Sequence, residues 1–481
     1  MDKLETYSQI KRKTLISTLS LFFQSGYSAF LGLAANLIVT ILLSPKIFGM
    51  YITTLSIISV LNYFSDIGLA ASLVQKKEVH EDDIKTTFTI QQLMIITGIS
   101  IGFLITGFVG EFYKLPPSGI YLYWVLLISF FISSLKTIPS ILLERKIKFQ
   151  RIVLVQIVEN TVFYLSVIIF ALLKFELQSF TIAVVLRAII GLILIYILSP
   201  WRPQLGISKK SLKELLSFGL PFQASSFLAL FKDDLIILFL GKILGFEALG
   251  YIGWAKKWAE APIRIIMDNI SRVLFPVISR IQHDKEKVGT VIDRILYYQT
   301  LVLAPTLIMM AVFMEKMVYI IPKYSKWAPA LPLFYIFCLA SFFSSYSSPF
   351  MNLYNALGKV KISFTFMFGW TITTWVLTPL FTNLFGYYGF PFVLLIIALS
   401  SVMVSYKARA FVSFHLFDSI HRSVISALLM GVIIVTLIRI IPHPYVGFFA
   451  SFIVGALSYY IILLTVFKTN LVGELRALFV K

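Results

Sequence analysis

The chain has 481 residues, of which 58% are hydrophobic, with a mean hydropathy of +0.87 and a formal net charge of +19. Such hydropathy excludes an ordinary soluble protein, and no loop between the apolar stretches is long enough to hold a core of its own. The basic residues are spread over loop after loop, which excludes a nucleic-acid groove and suits contact with anionic lipid headgroups.

In chain order, the apolar stretches predict fourteen membrane-spanning helices. They lie near 16–43, 47–73, 88–110, 119–143, 152–173, 178–198, 215–239, 247–278, 292–314, 329–351, 362–383, 388–411, 421–441 and 444–467. Each is close to the ~20 residues that a bilayer core requires. Lys11, Arg12 and Lys13 precede the first stretch, and the uncharged run from Thr14 to Pro45 far exceeds a signal-peptide core of about 7–15 residues, so an uncleaved first span is expected.

The even-numbered connections hold most of the Lys and Arg. Only Lys46, Lys114, Lys174, Lys242, Lys316, Lys323, Lys326 and Arg439 fall on the opposite side, which predicts that both termini are cytoplasmic. Tyr121, Tyr123, Trp124, Trp201, Trp327, Tyr387 and Tyr388 stand at span ends, where aromatic rings favour the headgroup level.

Three landmarks recur in order about 200 residues apart. Phe23-Gln24 matches Phe222-Gln223, Phe48-Gly49-Met50-Tyr51 matches Leu249-Gly250-Tyr251, and Pro139 with Lys146-Ile147-Lys148 matches Pro349 with Lys359-Val360-Lys361. Six spans separate the copies, so the halves share one orientation. A parallel repeat of this kind predicts a transporter built from two six-helix lobes, 1–200 and 201–414, with its substrate site between them, and 415–481 adding two further spans.

Charges within spans are costly, about 2.5–3.5 kcal/mol each at a helix centre. Here they include Asp66, Lys136, Glu159, Arg187, Lys232, Asp233, Asp234, Lys256, Lys257, Glu260, Arg264 and Asp268. Lys136 and Asp66 are expected near the cytoplasmic interface, where snorkelling lowers the cost. Lys256, Glu260, Arg264, Asp268 and Arg272 recur every four residues, a stripe of alternating sign with neighbours in ion-pair reach. Trp254 and Trp258 beside Lys256 and Lys257 offer flat apolar surface, whether for packing or for a sugar ring or isoprenoid chain. Lys232, Asp233 and Asp234 cannot share one helix face.

Arg187 has no opposite charge one turn away; it needs either a carboxylate from another helix, with Glu159 the candidate, or a phosphate, which its planar fork fits. Substrate-binding candidates are therefore Arg187, Lys232, Lys256, Lys257 and Arg264. Glu159, Asp233, Asp234 and Glu260 are candidates for coupling a proton or sodium ion.

Cys338 is the single cysteine, and the five histidines lie in loops or at span ends without metal-ligand spacing, so neither disulfide, metal nor cofactor is expected. No Gly-rich phosphate loop and no Ser-His-Asp set can be placed. A carrier is expected rather than an enzyme.

The stretches Ser44-Pro45-Lys46-Ile47-Phe48-Gly49-Met50-Tyr51, Phe64-Ser65-Asp66-Ile67-Gly68-Leu69-Ala70-Ala71-Ser72-Leu73-Val74-Gln75 and Leu240-Gly241-Lys242-Ile243-Leu244-Gly245-Phe246-Glu247-Ala248-Leu249-Gly250-Tyr251 resemble the bacterial polysaccharide exporter family. These are lipid-linked oligosaccharide flippases of the multidrug/oligosaccharidyl-lipid/polysaccharide exporter superfamily. The resemblance implies an all-α polytopic, V-shaped carrier in the bacterial inner membrane. It further implies transfer of undecaprenyl-diphosphate-linked oligosaccharide by alternating access, with membrane lipids as further partners. A drug or metabolite exporter of the same fold is the alternative, and a membrane-bound polymerase or ligase of sugar chains a more distant one.

Overall fold

The computed structural model describes residues 7–65, 67–441 and 444–469. Asp66 and His443 lie outside the described residues, as do the side chains of Lys11, Arg12, Lys13, Phe222, Asp268 and Arg272. Every regular element among the described residues is helical. A bilayer core offers no water to unpaired backbone groups, so a helix, which satisfies them internally, is the form an apolar chain of this kind takes.

The first part comprises α1 (Tyr7–Leu42), α2 (Pro45–Ser65), α3 (Leu69–Gln75), α4 (Glu81–Leu104), α5 (Thr106–Tyr113), α6 (Pro117–Ser134), α7 (Thr137–Arg145), α8 (Phe149–Leu172), α9 (Gln178–Leu198) and α10 (Lys209–Ala229). A π-helical turn, Leu230–Asp234, leads into α11 (Leu235–Ile281), which is broken at Gly245 (φ 78°, ψ 174°). Then follow α12 (Lys285–Ile320), α13 (Leu331–Ser345), α14 (Ser347–Ala356), α15 (Val360–Phe385), α16 (Gly389–Leu399), α17 (Ser401–Ala408), α18 (Leu416–Ile440) and α19 (Pro444–Thr465).

Among the described residues, eleven helices are long and apolar enough to cross a membrane. One of these runs, Val360–Ala408, has 49 residues, more than twice the ~20 that one crossing of a hydrocarbon core of about 30 Å requires. Short breaks inside such runs divide them, so hydropathy and helix continuity count crossings differently.

The chain forms two compact units, Met1–Gly253 and Trp254–Lys481. Within the first, α6 packs on α4 and α9, α8 packs on α9, and α7 meets α8; within the second, α13 packs on α12 and α16, α15 packs on α16, and α14 meets α15. The same scheme is built twice. Its punctuation recurs as well. Left-handed residues at Lys114, Ile147 and Lys174 are matched by Lys323, Gly358 and Gly386, each about 210 residues later.

At Ile147 and at Gly358 the same C-terminal turn forms. Ile147 N–H donates to Glu144 O and Lys148 N–H to Leu143 O, both at 2.9 Å; Gly358 N–H donates to Asn355 O at 3.1 Å and Lys359 N–H to Tyr354 O at 2.7 Å. The serine pairs that end α6 and α13 also agree: Ser134 Oγ bonds back to Phe131 O and Ser345 Oγ to Phe342 O, each at 2.7 Å. Such back-bonding competes with the helix ladder and breaks the helix there.

In the first unit, α2 and the start of α11 cross at two of the repeated landmarks. A Cβ on Gly49 would sit 1.7 Å from the Phe246 carbonyl oxygen, and one on Gly250 would sit 2.0 Å from that of Pro45. Only two glycines allow the backbones to come so close. In the second unit, α18 presents Ser423, Ala427, Met430 and Ile434, all buried, and packs along α12 and α19. Cys338 is buried in α13, consistent with a packing role.

Candidate functional site

The first charged site lies around α8 and α9 in the first unit. Glu159, in the middle of α8, is 6% exposed, and its carboxylate forms an ion pair with Lys136 at the break between α6 and α7. Gly191 of α9 leaves the room: a Cβ there would lie 1.6 Å from Glu159 Oε1. Tyr196 donates its hydroxyl to the Leu135 carbonyl at 3.2 Å, occupying an acceptor that the helix break frees. Close by, Gln91 Nε2 donates to Thr137 Oγ1 at 3.5 Å and Ser134 Oγ to Gln92 Oε1 at 3.2 Å. A buried carboxylate is tolerable in this setting because it is paired.

With Glu159 held by Lys136, Arg187 is left to other neighbours. Its guanidinium is exposed and forms no ion pair among the described residues. It lies 5.7 Å from the centre of the Phe163 ring, which itself stacks on Tyr51 with ring centres 6.4 Å apart. Tyr51 in turn stacks on Phe180 with ring centres 4.0 Å apart. The result is one cation beside a run of aromatic rings, Phe163, Tyr51 and Phe180, which offers a fork that suits a phosphate and ring faces that suit a sugar.

Lys232, Asp233 and Asp234 fall in the π-helical turn, where the wider spacing fans the three charges out. The Lys232 ammonium stands 3.9 Å from Asp233 Oδ1, and the Asp233 side chain is 56% exposed.

The second unit holds the four-residue stripe. Glu260 lies between two cations, with Lys256 Nζ at 3.7 Å and Arg264 Nη2 at 3.0 Å. Lys256 also lies 5.8 Å from the ring centre of Phe390, and the Arg264 side chain is 73% exposed. Lys257, one residue round the helix, is exposed too. The tryptophans belong to packing. Trp254 is fully buried, stacks on Trp327 at 5.5 Å and donates Nε1–H to Tyr324 Oη at 2.9 Å; Trp258 is 8% exposed.

A family model described as Polysaccharide biosynthesis protein matches residues 38–332, more than half of the chain. The chain belongs to this family. The chain is 24% identical to the Lipopolysaccharide biosynthesis protein WzxC of Escherichia coli (strain K12) over 341 residues, 70% of this chain and 68% of that one. It is 21% identical to the Succinoglycan biosynthesis transport protein ExoT of Rhizobium meliloti (strain 1021) over 325 residues, 67% of this chain and 65% of that one.

Among solved structures, the Lipid II flippase MurJ in an inward closed conformation shares its fold, with a TM-score of 0.74 at 13% identity, over 94% of this chain and 99% of that one. An inward-facing multidrug transporter of the MATE family and MOP superfamily matches with a TM-score of 0.63 at 13% identity, over 80% and 95%. The chain thus has the all-α, multi-pass membrane fold of these two solved structures.

Sequence reasoning missed three parts of these sites. Lys136 is the partner of Glu159, which only the folding of α7 back onto α8 reveals. Phe163, on the preceding helix α8, is the aromatic neighbour of Arg187. The π-helical turn had a visible signal, three consecutive charges inside an apolar run, but not a visible geometry.

Proposed function

We propose that this protein flips an oligosaccharide linked to undecaprenyl diphosphate across the bacterial cytoplasmic membrane, by alternating access, for the assembly of a surface polysaccharide. Family membership supports the class, and the names of the relatives, which refer to lipopolysaccharide and to succinoglycan transport, support the polymer pathway. Both termini are cytoplasmic on this reading, and residues 1–200 and 201–414 are the two lobes, with 415–481 added.

The observation that carries the substrate class is Arg187, a guanidinium within a span whose nearest candidate carboxylate is already taken by Lys136. A group left in that state favours a diphosphate as its counter-charge. Lys232, Lys256, Lys257 and Arg264 supply further positive charge. Among the acids, Glu159 is buried against Lys136 and Glu260 lies between two cations, while Asp233 is 56% exposed with Lys232 at 3.9 Å, so Asp233, beside Asp234, is the better candidate to take up a proton or sodium ion.

The test is transfer of a labelled lipid-diphosphate sugar between leaflets of proteoliposomes, with Arg187→Ala and Lys256→Ala alongside. Transfer lost in Arg187→Ala supports the assignment; transfer unchanged in both variants removes it. A transfer rate indifferent to proton and sodium gradients removes the coupling role of the acids. Efflux of cationic dyes by the same vesicles, without lipid transfer, would return the drug-exporter reading.

A further inference from the structure

A cavity of about 590 Å³ opens at the ends of α12, α18 and α19, within the second unit and away from the charged stripe. Ile320, Ile438, Ile441 and Phe448 give it apolar lining. Glu315 and Lys316 line it together, and both are exposed. Adjacent residues on a helix point about 100° apart, so the two are set to meet a ligand side by side rather than each other. Neither forms an ion pair among the described residues. Tyr319 and Tyr445, 63% and 55% exposed, line it as well. These are helix ends, where aromatic rings mark the headgroup level of a bilayer.

We propose that this cavity holds the headgroup of a zwitterionic phospholipid, an ethanolamine phosphate, from the leaflet on the side opposite the C-terminal end of α19. The ammonium meets Glu315, the phosphate meets Lys316, and the first acyl carbons lie on the isoleucines and Phe448. A net-anionic lipid fits less well, because Glu315 opposes it. The volume lies in the range of sites that enclose small ligands. The occupant is a resident lipid, distinct from the transported one, and it gives the α18–α19 pair a role that the repeated helices do not share. The inference requires only membrane insertion, so it stands or falls apart from the transported substrate.

The experiment uses the full chain reconstituted in nanodiscs of equal phosphatidylethanolamine and phosphatidylglycerol, exchanged into mild detergent, with retained lipid read by native mass spectrometry. Preferential retention of phosphatidylethanolamine is expected, falling about threefold in Glu315→Gln and in Lys316→Gln, the scale of one exposed charge contact. The double exchange Glu315→Lys with Lys316→Glu is expected to restore part of it. Size-exclusion profiles of the variants report folding separately. Retention of phosphatidylglycerol in preference, or phosphatidylethanolamine retention unmoved by either single substitution, overturns the proposal. Displacement by soluble phosphoethanolamine alone at equal concentration also overturns it, since the acyl contacts would then contribute nothing.

Discussion

The Lys136 ammonium meets the Glu159 carboxylate at the one place where α6 breaks into α7, and Gly191 on α9 keeps the space open for that carboxylate. Charge, helix break and missing side chain form one unit. Glu159→Gln leaves the Lys136 cation poorly compensated in a site mostly closed to solvent. We expect a loss of about 3 kcal/mol, as for one partner removed from a buried pair. The double variant Glu159→Gln with Lys136→Met should recover much of it. Thermal unfolding in detergent, followed by circular dichroism, measures both; a double variant no better than the single one refutes the pairing energetics.

Gly191→Ala acts on the same pair from the other side. The new methyl group would overlap Glu159 Oε1, so the carboxylate must leave Lys136 or α9 must move. A cost of about 1–3 kcal/mol is expected for such overpacking. Gly369→Ala, whose Cβ meets no atom within 4 Å, is the matched control and should be neutral.

Arg187→Lys keeps the charge and loses the planar fork. If the guanidinium holds two phosphate oxygens, transfer of lipid-diphosphate sugar should fall about tenfold, the scale of one charge-assisted hydrogen bond. The thermal stability of Arg187→Lys should not change, because this side chain is exposed and forms no ion pair among the described residues. Equal transfer by the two proteins would show that only charge matters there.

Gly250→Ala should disturb the α2–α11 crossing, because the carbonyl of Pro45 occupies the position its Cβ would take. Two backbones in contact cannot adjust by a rotamer change. Reduced yield of folded protein on size-exclusion chromatography is expected, with Gly26→Ala, whose Cβ would meet nothing within 4 Å, unaffected.

The connection after α3 carries a pH-dependent tie. Lys76 Nζ bonds both oxygens of Asp83, at 2.8 and 2.9 Å, and Glu214 of α10 at 2.9 Å. Its pKa is raised above the ordinary lysine value, chiefly by the bond to Asp83, and the same ammonium lowers that of Glu214. A lowered carboxylate stabilises the fold above its unfolded pKa and ceases to do so as pH falls through the lower folded value. A raised lysine contributes fully below its unfolded pKa and ceases to as pH rises through the higher folded one. The tie between α10 and residues 76–83 therefore weakens below about pH 4 and again above about pH 10. Amide hydrogen exchange of this segment should rise on the acid side, and Glu214→Gln should show that faster exchange already at neutral pH.

The sequence determined the membrane class, the all-helical fold and the doubled plan, because each is written in local patterns. Twenty-residue apolar runs admit only helices in a bilayer. Landmarks such as Gly49 and Gly250, or Pro139 and Pro349, mark a repeat without any knowledge of contacts. It also exposed which charges lie in the spans, since their cost depends on surroundings that are apolar for many residues on either side. The tertiary structure alone decided who meets whom. Glu159 lies 28 residues from Arg187 and 23 from Lys136 along the chain, and spacing favours neither as its partner. The break before α7 delivers Lys136, and Arg187 is left beside Phe163. Ion pairs between helices depend on the rotation and register with which those helices pack, and neither quantity is encoded in the periodicity of any single span.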